Sequence, residues 1–214
     1  MAGAVVVGAG PGIGRSVARR FAREGMPVTV IARSRGTVDA VAATVGPDAP
    51  DLLALTADVS DEGAVRAALD ACAARFGVPD VVVYNAAVIQ PDAPGELSAR
   101  DQLAAWSVNV VGALTVAAHV LPPMAERGSG TFLLTGGMPA PDPRYVSLSL
   151  GKAGVRAFAV LLDAQYRPAG VHVATVTVTG AVAPGSAWDP DDIAEHYPRL
   201  HHQARPEWTH EVVH

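Results

Sequence analysis

Cysteine is nearly absent from this 214-residue chain, and its one thiol, Cys72 in AALDACAARF, excludes an internal disulfide. Its apolar helical setting makes it a small core side chain rather than a nucleophile. Aromatic residues are only 5 % of the total while half of all residues are apolar, so alanine, valine and glycine must fill the interior. Positive charge is also scarce. With 16 basic against 21 acidic side chains, a net charge of −5 and no dense basic run, nucleic acid and anionic membrane are poor partners. No continuous apolar run approaches the ~20 residues of a membrane span. The opening MAGAVVVGAG lacks the basic region of a signal peptide, and glycine interrupts its apolar stretch at once. The expectation is a cytoplasmic protein with one domain over residues 1–214. No metal site is expected, because His201–His202 is not accompanied by carboxylates or histidines at ligand spacing.

What is present is an alternation. Short β-branched runs, AVVV (4–7), PVTVIA (27–32), LLALTA (52–57), DVVVY (80–84), TFLLT (131–135) and VHVATVTV (171–178), are separated by stretches of helical period. Continuous apolar runs, rather than strict in-and-out alternation, indicate strands covered on both faces. The predicted fold class is therefore α/β: a doubly wound Rossmann fold, with a parallel sheet and helices on both faces. Helices are expected near 13–24, 36–45, 61–76, 98–126 with a break, and 146–166. From residue 183 the texture changes to a short tail, 183–214, rich in proline, histidine and tryptophan. Asp189–Pro190–Asp191–Asp192 has an N-cap acid and an N1 proline, predicting a short helix through about 200. A final strand is expected at Glu211–Val213. Trp188 and Tyr197 either line a shallow apolar pocket or pack the tail onto the sheet.

The glycine loop VVVGAGPGIGRSV lies between the first strand and the first helix. Gly8, Gly12 and Gly14 fit the spacing G-x-x-x-G-x-G, with Gly10 between; Ile13 breaks the stricter G-x-G-x-x-G. Glycines here let the backbone approach a pyrophosphate, whose charge the helix amino end stabilises. At the end of the second strand an acid usually holds the ribose of NAD. This chain instead has Arg33, Ser34 and Arg35, which suit a 2′-phosphate and favour NADP(H) over NAD(H).

Together these residues resemble the short-chain dehydrogenase/reductase family, over nearly the whole chain. GAGPGIG resembles its glycine motif. Asp58–Val59 is similar to its adenine-contacting aspartate segment, and Tyr84–Asn85–Ala86–Ala87 resembles its Asn-Asn-Ala-Gly. Asn109 in WSVNVVGAL and Lys152 match two members of the catalytic tetrad. The resemblance implies cofactor contacts at these positions and at Gly180 and Val182. It also implies a small-molecule substrate and a homodimer or homotetramer. The departures are specific. The tyrosine expected four residues before the lysine is Leu148, and the stretch that should hold the serine reads LLTGG, offering Thr135.

The run RYVSLSLGKAG supplies candidate replacements. Tyr145 lies seven residues before Lys152, on the same face if the helix starts early enough, and Ser149 lies one turn before it. Three readings follow. Tyr145 and Thr135 take the missing roles in an NADP(H)-dependent carbonyl or imine reductase, with Asn109, Ser149 and Lys152 beside them. Alternatively the site performs non-redox chemistry as a dehydratase, isomerase or cyclase. In the third, the chain is a catalytically inactive NADP-binding partner. The plain alternative for Tyr145 is a surface aromatic at a helix start, and for Asn109 a polar group bonding backbone.

Overall fold

The computed structural model describes residues 3–214. Seven strands form one parallel sheet in the order β3-β2-β1-β4-β5-β6-β7. They are β1 (Ala4–Val7), β2 (Val28–Ala32), β3 (Leu52–Thr56), β4 (Val81–Tyr84), β5 (Gly130–Gly137), β6 (Val171–Val178) and β7 (Glu211–Val213). The expected α/β doubly wound architecture is what the chain adopts, because β-branched runs such as AVVV and VHVATVTV are buried on both faces. The strand order reverses between β1 and β4, which opens a crevice at the carboxyl ends of the strands.

Alternating residues feed two cores. Val5, Val7, Val82, Phe132 and Leu134 pack against α3 (Glu62–Phe76), α5 (Gly112–Arg127) and α6 (Val146–Tyr166). Ala4, Val6, Val81, Val83 and Leu133 pack against α1 (Ile13–Arg23), α2 (Arg35–Val45), α7 (Pro190–Ala194) and α8 (His196–His201). Asp61 and Asp189 cap α3 and α7 through their carboxylates. The tail helix expected through about 200 is instead two short helices, α7 and α8.

The break expected within 98–126 is a wide turn, not an interruption. α4 (Ala99–Trp106) runs through a π-helical segment, Ser107–Val111, straight into α5. Residues Ala99–Arg127 are thus one helix, whose length and composition alone would reach across a bilayer, although Ser107, Asn109 and His119 interrupt its apolar run. Its Val116, Val120, Leu121 and Met124 are buried in the sheet core. The wide turn frees backbone groups, and the Tyr84 hydroxyl donates to the Val108 carbonyl there. Burial, with Asp58 nearby, holds the Tyr84 phenol far above its ordinary range, so it remains a donor.

Candidate active site

A cavity of about 1300 Å³ opens at the topological switch between β1 and β4. Its nucleotide end is made by the loop from β1 to α1. Gly8 has φ 87°, a conformation glycine tolerates, and a Cβ there would overlap the Ala86 amide nitrogen. A Cβ on Gly14 would meet the Gly8 carbonyl oxygen at 2.5 Å. The fold itself requires these two glycines. Gly10 and Gly12 differ: a Cβ on either would meet nothing within 4 Å, and both border the cavity. The protein needs no glycine there for its own packing, whereas a close-fitting pyrophosphate does. The cradle therefore fits a dinucleotide on geometry.

Around it, Ile13, Arg33, Ser34, Asp58, Val59, Asn85, Ala86, Ala87, Gly180 and Val182 all line the cavity. Ser34 caps α2, accepting from the Thr37 amide, and Thr37 lines the cavity as well. Arg35 does not line it. As the first residue of α2 it turns along the helix to pair with Asp39 at 2.9 Å, leaving Arg33 as the arginine at this end. The Ser60 hydroxyl and amide hold the Asp58 carboxyl below the usual carboxylate range, with a smaller contribution from Arg33. The Asn85 amide donates to Gly8 at 2.8 Å and its carbonyl accepts from Thr135 at 2.9 Å, lacing β1 to β5.

The reaction end is built by α6 and the segments after β4 and β5. Lys152 is buried and donates to the Thr135 carbonyl oxygen at 2.7 Å. Burial pushes its ammonium down to about 8. Leu148, one turn earlier, faces the same cavity. Asn109 lies in the π turn. It accepts from the Val88 amide at 2.7 Å and packs so closely on α6 that a Cβ on Gly151 would come within 2.8 Å of it. It bonds backbone, and it fixes the cavity wall that begins at Val88.

Tyr145 lies just outside the helix, as its N-cap with φ −143°, so the expected helical stripe through Tyr145 does not form. Tyr145 nevertheless lines the cavity with Leu148 and Lys152. Two other expectations are corrected. The Thr135 hydroxyl bonds Asn85 and, at 2.7 Å, the hydroxyl of Tyr197, a residue of the core between α1, α8 and the sheet. Its hydroxyl is thus engaged by these two partners, while the backbone carbonyl of the same residue accepts from Lys152. The position aimed at the lysine is Gly137, where a Cβ would lie 3.8 Å from Lys152 Cε. Ser149 accepts from the Asp142 amide at 3.1 Å and donates to the Asp142 carbonyl at 3.3 Å, closing the preceding loop rather than facing the cavity.

The tail does not line the cavity with aromatics. Tyr197 is in the core, and Trp188 lies across Gly180, where a Cβ would overlap its ring. His201 is partly buried: it bonds Thr131 at 2.9 Å and meets the Phe21 ring edge-on. His202 is exposed and meets Glu24 at 2.9 Å.

Sequence reasoning missed Met138, Arg144 and Asp92. Met138 lines the cavity with φ 48°, a strained value for a side-chain-bearing residue, held by Arg156, which donates to the Gly137 and Met138 carbonyls. Arg144 lines the mouth, paired with Asp142 at 2.7 Å. Asp92 is buried behind Tyr145, and no local pattern announced it.

Known proteins place this arrangement. A family model described as short chain dehydrogenase matches residues 2–189. The D-threitol dehydrogenase of Mycolicibacterium smegmatis is 30 % identical over 190 residues, covering 87 % of this chain and 73 % of that protein. The cis-4-hydroxycyclohexanecarboxylate dehydrogenase of Sinomonas cyclohexanicum is 34 % identical over 193 residues, covering 87 % and 74 %. A metagenomic short-chain oxidoreductase solved in complex with NADP superposes with a TM-score of 0.89 at 26 % identity, over 98 % of this chain and 94 % of that one. The chain belongs to the short-chain dehydrogenase/reductase family, a family of oxidoreductases, and its glycine-lined crevice is a nicotinamide-cofactor site.

Proposed function

We propose that the protein is an NADP(H)-dependent oxidoreductase acting on a small carbonyl or alcohol, with Tyr145 exchanging the proton at the substrate oxygen. The observation that carries this reading is that Tyr145 and Lys152 line one cavity, which also contains the glycine cradle. Gly8, Gly10, Gly12, Gly14, Asp58 and Lys152 would hold the cofactor, and Arg33 with Ser34 would receive a 2′-phosphate. When bound, a nicotinamide supplies or accepts the hydride. The chain's own task is to hold the substrate oxygen and move its proton. Lys152 places a titrating amine beside that oxygen, and Tyr145 provides the hydroxyl that Leu148 cannot. Val88, Ile89, Met138 and Leu148 make the substrate end apolar, which suits a ring alcohol such as the one the second relative's name describes better than a polyol.

Non-redox chemistry is the second reading. It is favoured by one fact: Lys152 makes its bond to a backbone carbonyl, with Leu148 one turn before it on α6 and Gly137 where a side chain would face its stem. Tyr145→Phe separates the two. With NADPH and cyclohexanone as probe, turnover should fall at least 100-fold with NADPH affinity retained. Wild-type turnover in that variant would remove Tyr145 from the chemistry.

The same reading includes a homodimer or homotetramer. Leu103, Trp106, Leu114, Val160 and Leu161, on α4, α5 and α6, are exposed apolar side chains that a second copy would cover. Light scattering should give a multiple of the 21.9 kDa chain mass, and Leu161→Asp should shift it towards that mass; a monomer throughout would remove the proposal.

A further inference from the structure

Tyr145 is an N-cap whose own side chain makes no capping bond, so the first amides of α6 must be satisfied from elsewhere. They are satisfied by a residue more than fifty positions earlier in the chain. Asp92, 1 % exposed, accepts from the Ser147 amide at 2.9 Å and from the Ser147 hydroxyl at 2.9 Å. Gln102 of α4 donates to its second oxygen at 3.3 Å. The backbone of the same residue brackets the tyrosine. The Asp92 amide donates to the Arg144 carbonyl at 2.9 Å, and the Val146 amide donates to the Asp92 carbonyl at 3.1 Å. Asp92 and Tyr145 thus form an isolated parallel bridge.

Two separate cavity walls meet here. The segment after β4 contributes Val88 and Ile89, and the segment after β5 contributes Met138, Arg144 and Tyr145. A carboxylate at the amino end of a helix is favourably placed for the helix dipole, and its oxygens are filled by neutral donors rather than by a cation. A solvent-exposed cap would stabilise α6 equally well. A buried one fixes where the helix begins relative to both walls.

We infer that Asp92 is a positioning residue: it sets the place of Tyr145 relative to Lys152 by capping α6 and bridging to residues 144–146. The inference rests on the reading of Tyr145 as proton donor. Displacements of about 1 Å in such a group cost on the order of 100-fold in rate.

The test compares Asp92→Ala, Asp92→Asn and Tyr145→Phe with wild type, using NADPH and cyclohexanone. Asp92→Ala should lower kcat roughly 30-fold or more, with KM and NADPH affinity changed less than about twofold, since the glycine cradle is untouched. Asp92→Asn keeps an oxygen acceptor for Ser147 and should recover most of kcat. Hydrogen exchange of the peptide spanning 144–150 should quicken in the alanine variant and not in the asparagine one. A wild-type kcat in Asp92→Ala beside an inactive Tyr145→Phe overturns the positioning role alone. Unimpaired Tyr145→Phe overturns the underlying reading, and the positioning claim with it. If Asp92→Ala does not fold, Ser147→Ala removes one of the same bonds; a several-fold drop in kcat at constant KM supports the role, and no drop overturns it.

Discussion

At one end of the cavity a ligand would meet mainly backbone, and at the other mainly side chains. The glycine cradle is fixed by chain geometry, with Gly8 and Gly14 packed against Ala86 and Gly8 and two further glycines opening onto space. The reaction end depends on where individual hydroxyls point. Of Thr135, Tyr145 and Ser149, the first two line the cavity with Lys152, but the Thr135 hydroxyl is engaged by Asn85 and Tyr197, and Ser149 turns to Asp142. Backbone-built sites survive substitution of their neighbours. A side-chain site can lose its customary residues while the lysine and the pocket persist.

The largest effect should come from filling the cradle. Gly12→Val places a side chain on the open side of the cradle, so NADPH affinity should fall at least 100-fold. Normal binding in a fluorescence titration would mean that phosphates lie elsewhere. Next, Arg33→Ala should weaken NADPH binding roughly tenfold and NADH binding little, because only the former offers a 2′-phosphate. Equal losses would leave the two nucleotides undistinguished by this end.

The smallest effect concerns stability. Burial lowers the Lys152 pKa to about 8 in the folded protein, so between about pH 8 and its ordinary value of 10.5 the unfolded chain binds more protons. Stability of the nucleotide-free protein should therefore rise as pH increases through that window, and the penalty should be fully present below it. Lys152→Met should remove this slope and raise the melting temperature at pH 7 by roughly 3 °C, about 1 kcal/mol, despite losing the bond to Thr135. A slope that persists in Lys152→Met would assign it to another group.

The same contrast explains what was legible in the sequence. Strands β1, β6 and β7 and helix α6 fall where periodicity placed them, because apolar runs and caps are local signals. The glycine spacing and Arg33 were legible for the same reason. The direction of Thr135 was not, because it depends on which sheet face residue 135 occupies, and hence on strand register across β4, β5 and β6. Tyr145 would have joined the helical face only had the helix begun earlier than Val146, and it sits one position before it. What was not legible is that Asp92, a partner remote in the chain, accepts from the first turn of that helix. The break expected somewhere in 98–126 proves to be a π turn at Ser107–Val111, which absorbs an extra residue without ending the helix.

The segment MPAPDPRY between β5 and α6 has proline at 139, 141 and 143, and its first residue is locked by Arg156. Each proline has one fixed φ, so few backbone states remain to be frozen when a ligand closes against this wall. Calorimetry of substrate binding should accordingly give a heat-capacity change that follows apolar area buried, with little added entropy cost from loop ordering. A wall stiff before the ligand arrives also sets selectivity by shape: a substrate that would need residues 139–143 to move should be refused rather than accommodated.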